Sequence, residues 1–590
     1  MTATIVAARR KRIARAVLAG VMVSAACGGA AMAQTVERHP APLIFGTVTT
    51  ALTAAGLLNQ QNDPTPFGVA LKGLTLVDAN AHGAAVTAKG TAGIDTALAG
   101  ALAQNPVLQA ALGKFVGQPL SYALIAQIKT AVTQFYRDNG RSLVNVTVPP
   151  QEVSSGQVQI NVNTFVLDQA RVEGAPTGAS GDFIARQIRV KPGQEVDTNR
   201  LLDDVNWLNQ NPFRHVSVVF EPGVAANSTR LVLHVDSTRP WSAYAGINTA
   251  GTTDTGEIRT FAGFNLSALP WQDHQLSYQF TGAPNSLGKF DLFDTGQDKG
   301  YLSHALSYFI PITTQSGFRT KLTFGASHIS SYSVPGGFFT TGSTTSVANM
   351  ELAFPLPKTS GELGLVPEIY LQGEFDDYNS QLFFFGIPFF HPEQTRLAHG
   401  VVGVRAGTTA TLFGKKARGN VDLGLVYGQQ HTLGDAAVTY SYVKFAFNQE
   451  VFLDRDRSVA FRLTGQQSGD TLHPLEQMAL GGDGTVRGYA VNGVSSNSAV
   501  AASLEYRAAP WSFKAGTMDG KFRPHVFADM GVTDVNGAAP AQHLASVGLG
   551  AQVTVGDNIV ATFDLAESLR DAGKTKAYTP SLIFSLTARF

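Results

Sequence analysis

Residues 579–590 read TPSLIFSLTARF. In an extended chain successive side chains point to opposite sides. Leu582, Phe584, Leu586, Ala588 and Phe590 therefore share one face, while Ser581, Ser585, Thr587 and Arg589 make up most of the other. A strand greased on one side and wetted on the other suits a sheet facing lipid, and a soluble sandwich strand shows the same alternation. The remainder of the chain has to separate the two.

The pattern recurs upstream. Val443, Phe445 and Phe447 alternate with Tyr442, Lys444, Ala446 and Asn448, and Val526, Ala528 and Met530 alternate with His525, Phe527 and Asp529. Period-two segments predict sixteen strands near 241–249, 256–267, 273–282, 300–310, 315–325, 346–354, 363–375, 396–407, 418–428, 440–451, 457–466, 498–507, 522–531, 542–553, 558–567 and 580–590. Short connectors such as PITTQS and LDRD alternate with long ones around 326–345 and 376–395, as a membrane β-barrel requires. After residue 34 no apolar run approaches the ~18 residues of a membrane-spanning helix, which excludes a helical membrane protein. A terminal strand ending on Phe590 resembles bacterial outer-membrane barrels, where that aromatic end is an insertion signal for the barrel-assembly machinery. The even strand count puts Phe590 and the segment before the barrel on the same side, the periplasm.

Composition agrees. Lys+Arg and Asp+Glu number 44 each, so no net charge draws nucleic acid, and only 15% of residues are charged. Arg9, Arg10, Lys11, Arg12 and Arg15 precede a short apolar stretch and the A-x-A site Ala31-Met32-Ala33, which predicts an export signal over residues 1–33. The chain's one cysteine, Cys27, falls inside that signal, with Ser24 three residues before it, so neither a lipid anchor nor a disulfide framework is expected. Residues 34–65 form an amino-terminal segment and linker, in which 41–58 reads as a weak helix able to plug a pore or as a disordered leader.

Before the barrel, helical patterns alternate with strands and predict two α+β modules, 66–166 and 167–238. YRDNG followed by VTVPPQEVSSGQVQINV resembles the first periplasmic POTRA module of the two-partner secretion transporters, the TpsB family of ShlB/FhaC/HecB-like haemolysin secretion proteins; WLNQNPFRHVSVVFEPG resembles the second. The matching residues are Tyr136, Arg137, Gly140, Pro149, Pro150, Gln151 and Gly156, then Leu208, Asn209, Pro212, Phe213, Pro222 and Gly223. Asn163-Thr164 departs from the acidic residue and glycine usual there, which bears on the turn alone. Without the family, Tyr136 reads as a core residue and Pro149-Pro150 as a strand terminator.

The resemblance is sharpest in LGGDGTVRGYA, residues 480–490, within a connector of about thirty residues, 468–497. The family carries V-R-G-Y at the tip of a loop folded into the barrel, matched by Val486, Arg487, Gly488 and Tyr489. Its second half is F-x-D-x-G, matched by Phe527, Asp529 and Gly531, whose spacing puts all three on the lumen face. By resemblance, Arg487 pairs with Asp529 as a latch, of roughly 1–3 kcal/mol in a wet lumen.

No H-E-x-x-H or G-x-S-x-G occurs, Gly573-Lys574-Thr575 lacks the first glycine of a phosphate loop, and the 13 His show no ligand spacing. No catalytic site, metal, cofactor or nucleotide is expected. QLFFFGIPFF reads as an aromatic girdle or loop packing. The resemblance, over residues 66–590, implies a sixteen-stranded barrel in outer-membrane lipid (239–590) that conducts an unfolded TpsA-like exoprotein outward after the POTRA modules capture it. An assembly factor for other barrels shares the fold but commonly carries three to five POTRA modules; a diffusion porin leaves the modules and both half-motifs idle.

Overall fold

Among the described residues, sixteen antiparallel strands between Trp241 and Arg589 close into a barrel, with the short segments Ile387–Pro388 and Trp511–Ala515 extending two of its hairpins. Numbered from the amino-terminal side, strand 16 (Pro580–Arg589) pairs with strand 1 (Trp241–Asn248), Ser585 opposite Asn248 and Arg589 opposite Tyr244. Each predicted strand has its counterpart. The computed structural model describes residues 63–590 except 84, 86–91, 175–178, 268–270, 285–299, 337–338, 360–363 and 535–539. The predicted export signal, Cys27 and the 41–58 segment lie outside the described residues.

Alternation sorts the wall as the sequence predicts. On strand 13 (Met518–Asp534), Val526 and Met530 are 52% and 64% exposed on the outer surface, while Phe527 and Asp529 between them are buried. Leu582, Leu586 and Phe590 likewise lie exposed outside.

Most of the residues expected as connectors at 326–345 and 376–395 are instead strand. Strands 5 (Arg319–Gly336), 6 (Phe339–Pro355), 7 (Val366–Phe384) and 8 (Glu393–Leu412) run far beyond the ~10 residues needed to cross a bilayer. Their distal halves, such as SHISSYSV, place serines and threonines on both faces, which hides the alternation while the ladder continues in register, Ser331 opposite Ser343 and Thr344 opposite Asn379. At the tip, Phe384 packs against Phe339 (5.0 Å) and Phe389 (5.8 Å), and Phe389 against Phe390 (4.3 Å). Phe384 is nine residues past Phe375 in the chain and Phe389 and Phe390 are further still, beyond the outward-facing Ile369, Leu371 and Phe375, so these rings are loop packing and not a girdle.

The region before the barrel contains two α+β modules. In the first, parallel strands Gly93–Leu98, Gly73–Asp78 and Gln157–Thr164 lie side by side, with Val144–Thr147 antiparallel at the edge. Helix Tyr122–Asp138 covers the sheet because Leu124, Ile128, Val132 and Tyr136 recur every fourth residue and are all buried. Ser121 caps its start by accepting from Leu124 N–H (3.1 Å), and Gly140 at φ +81° ends it. Burial pushes the Tyr136 phenol up to about 12, so it stays a neutral core group.

Gln151 explains the proline pair before it. Proline donates nothing to a ladder, and beyond Thr147 the side-chain amide of Gln151 takes the missing strand's place: Gln159 N–H donates to its Oε1 (2.7 Å) and its Nε2 donates to Gln159 O (2.8 Å). Gln151→Ala strands both groups at a cost of about 1–3 kcal/mol. Hydrogen exchange should therefore show faster opening at the Gln159 amide; unchanged protection there would refute this role.

The second module has the parallel pair Val166–Glu173 and Ser228–Ser237, with Arg214–Pro222 antiparallel at the other edge, under helices Ala179–Gln187 and Thr198–Leu208. Leu208 is buried in its core. Asn209 repeats the Gln151 device, accepting from Val216 N–H (2.7 Å) and donating to Val216 O (3.0 Å). Pro212 and Phe213 are half-buried, and Phe213 O accepts from Thr238 N–H (2.9 Å). Gly140 also joins the modules: its carbonyl accepts from Thr198 N–H (2.8 Å), and a Cβ there would stand 2.7 Å from Asp197 Oδ1. Arg141 ion-pairs with Glu195 (2.8 Å) and Asp197 (3.0 Å) at the same junction. Arg137 is half-buried on the helix's last turn.

Candidate functional site

The connector 468–497 enters the barrel as a hairpin, with Met478–Leu480 pairing to Val494–Ser496, and its tip packs against the wall. Gly481 and Gly482, at φ +112° and +86°, turn the chain after Leu480 through backbone conformations open to glycine. The apolar part of the tip is Leu480, Val486 and Tyr489, buried against Ala499, Ala501 and Leu544. Gly531 is what admits Val486, because a Cβ there would lie 2.9 Å from Val486 Cγ2 and 3.0 Å from Leu480 Cδ1. Tyr489's hydroxyl accepts from Ala545 N–H (3.1 Å) and lies 2.9 Å from the Arg570 carbonyl.

Arg487, 3% exposed, points into a ring of acceptors. Its Nε and Nη2 donate to the two oxygens of Asp529 (2.8 and 3.0 Å), and its own backbone N–H reaches Asp529 Oδ2 (3.1 Å). Nη1 pairs with Glu505 (2.8 Å) and Asp564 (3.3 Å), and Nη2 donates to Ser503 Oγ (3.2 Å). The guanidinium carbon stands 3.4 Å from the centroid of the Phe527 ring, a cation–π contact. That ring lies across Gly548, where any side chain would collide with it. Gly488, at φ +88°, lets the backbone approach Ser546 and Ala566.

All seven motif residues of the two halves thus meet in one place. Glu505, Ser503 and Asp564 belong to no motif, yet alternation marks them. Leu504 is exposed outside, which turns Ser503 and Glu505 inward, and Phe563 and Leu565 do the same for Asp564. The ring continues along the wall away from the connector: Arg507 bridges Glu505 (2.8 Å) and Glu450 (3.0 Å), and His525 Nε2 lies 2.7 Å from Asp564. Burial makes the Arg487 contacts stronger than a wet lumen would. Removing one member of a buried pair typically costs about 3–5 kcal/mol.

The base of the same connector is tied to the far wall. Asp470 accepts from Ser441 N–H (2.8 Å), His473 lies 3.4 Å from Glu393, and Glu476 accepts from Tyr442 Oη (2.7 Å) and pairs with His399 (3.3 Å). Lys574, in the sequence that mimics a phosphate loop, pairs with Asp254 (3.1 Å), bracing one outer connector against another.

Known proteins with this arrangement are recognisable. Residues 92–164 match the ShlB-type POTRA domain, and residues 399–553, which hold both half-motifs, match the haemolysin secretion/activation protein ShlB/FhaC/HecB. The heme/hemopexin transporter protein HuxB of Haemophilus influenzae is 21% identical over 414 residues, 67% of this chain and 68% of that one. The outer membrane transporter CdiB-2 of Burkholderia pseudomallei is 23% identical over 404 residues, 64% of this chain and 63% of that one. Among solved structures, CdiB from Escherichia coli superposes with a TM-score of 0.67 at 15% identity, covering 92% of this chain and 94% of that one. CdiB from Acinetobacter baumannii gives 0.61 at 14% identity, covering 94% and 95%. With a match to a ShlB-type POTRA domain and a match to ShlB/FhaC/HecB in one chain, this outer-membrane barrel protein is similar to the two-partner secretion transporters.

Proposed function

We propose that the periplasmic modules take up an unfolded TpsA-like exoprotein by strand addition, and that the barrel conducts it outward past a loop latched by Arg487. The observation that carries the latch is the buried Arg487–Asp529 fork between a loop tip and the wall. Sheet edges carry the uptake. Val166–Glu173 and Arg214–Pro222 are the edges of the second module's sheet, and an edge offers unpaired backbone groups to an extended chain whatever its sequence. Passage needs no nucleotide on this reading, since folding of the emerged chain supplies the free energy. Outer-membrane lipid covers the exposed apolar wall, and the barrel-assembly machinery reads the final strand.

Quantitative proteomics of culture supernatant and outer membrane, with and without the gene, tests the export reading. The expected result is loss of one large secreted protein with the membrane profile intact. Depletion of many barrels would overturn it in favour of an assembly factor.

A further inference from the structure

A second constellation lies on the lumen wall away from Arg487. Glu374 and Asp376 sit two residues apart on strand 7, so both face inward while Phe375 between them is exposed outside. The register sets Glu374 opposite His399 of strand 8. One ligand atom from each of Glu374, Asp376 and His399 falls within 4.8 Å of the other two.

The imidazole is held the way a metal ligand is held. Nδ1 faces Glu476 Oε1 at 3.3 Å, and Glu476 is itself fixed by the Tyr442 hydroxyl at 2.7 Å. Nδ1 also lies 3.5 Å from the Tyr440 hydroxyl, so that nitrogen faces Glu476 and Tyr440 while Nε2 is on the side of Glu374, whose Oε1 lies 3.9 Å away. The separation is too long for a hydrogen bond and lies inside the ~4.2 Å that two bonds of ~2.1 Å can span, so a small closing movement of the two side chains brings both onto one ion. A carboxylate behind the imidazole is the usual support of a ligating histidine. Charge argues the same way: three carboxylates gather round one imidazole, at most a single positive charge, and His399 is buried.

We propose that Glu374, Asp376 and His399 form a binding site for a divalent transition-metal ion, with Glu476 orienting the imidazole from behind. Imidazole with carboxylates suits Zn2+ or Mn2+ better than Ca2+ or Mg2+. Because Glu476 comes from the inward connector and the ligands from the wall, an ion fixed there also braces loop to wall. The sequence hid the site, since its ligands lie on two strands and its support on a third segment, with no ligand spacing along the chain.

The test uses the full chain, purified in detergent and stripped with a chelator. Zn2+ is titrated by calorimetry and counted by elemental analysis, and Co2+ is added in parallel to read visible ligand-field bands. One ion per chain is expected, weakened at least about tenfold by His399→Ala or Asp376→Asn and about tenfold by Glu476→Gln. Heat-modifiable electrophoretic mobility confirms that each variant barrel is folded. Absence of saturable Zn2+ binding and of Co2+ bands in the wild type would overturn the site, as would undiminished binding in folded His399→Ala and Asp376→Asn. The brace rests on the latch reading and has its own readout: Zn2+ should lower channel opening in planar bilayers for the wild type and not for His399→Ala. Binding without that effect would remove the brace and leave the site.

Discussion

Arg487→Ala should raise the conductance of the barrel in planar bilayers and cut secretion of its exoprotein. In the wild type the guanidinium offsets Asp529, Glu505 and Asp564, carried on three different strands. Removing it leaves these carboxylates in a buried cluster, with Arg507 still beside Glu505 and His525 still beside Asp564. A loss of about 3–5 kcal/mol shifts the loop between its inward and released positions by roughly two to four orders of magnitude. Conductance rises because the plug leaves; secretion falls because carboxylate repulsion deforms the wall that shapes the exit. Arg487→Lys should lie between, since an ammonium keeps the charge but cannot fork onto both Asp529 oxygens while reaching Glu505. The sharper test is a cycle with Asp529→Asn. If the pair acts as a unit, the double variant loses less than the sum of the two single losses, by more than about 1 kcal/mol. Unchanged conductance and secretion in Arg487→Ala would sink the latch.

The legible parts of this protein were those written along one strand or one loop. Period-two alternation located all sixteen barrel strands, and the Val486–Tyr489 and Phe527–Gly531 halves marked two points that the fold joins. What alternation could not show was length, because the distal arms of strands 5–8 put serine and threonine on both faces and so lose their apolar side once they leave the membrane. Partners contributed across strands were equally hidden. Glu505 and Asp564 look like any strand carboxylate until Leu504 and Phe563 are seen to face outward, and Gln151 is only a motif match until its amide is found completing a sheet behind two prolines. Glycine was the most ambiguous letter. Gly531 and Gly548 sit in strands for what they leave out, room for Val486 in one case and for the Phe527 ring in the other.

Locking the loop tests whether it must move at all. Val486→Cys with Gly531→Cys should form a disulfide, because a Cβ at position 531 would stand 2.9 Å from Val486 Cγ2, close to the ~3 Å that separates a sulfur from the far Cβ across an S–S bond. Gly531 has no left-handed backbone to strain, and the only native cysteine, Cys27, lies in the predicted export signal, so no competing partner is expected in the exported chain. The periplasm and cell surface favour oxidation. With the bond formed, secretion should drop below about a tenth of that in either single variant, and a membrane-permeant reductant should restore it, since a covalent tie exceeds anything the Arg487 contacts can resist. The two single variants control for the packing changes. Conductance should stay low while the bond persists, the reverse of Arg487→Ala. Secretion that continues at the single-variant rate in fully oxidised protein would mean the exoprotein passes with the tip in place; Arg487 would then be part of a fixed wall, and any conductance change in Arg487→Ala would report damage to that wall rather than release of a loop.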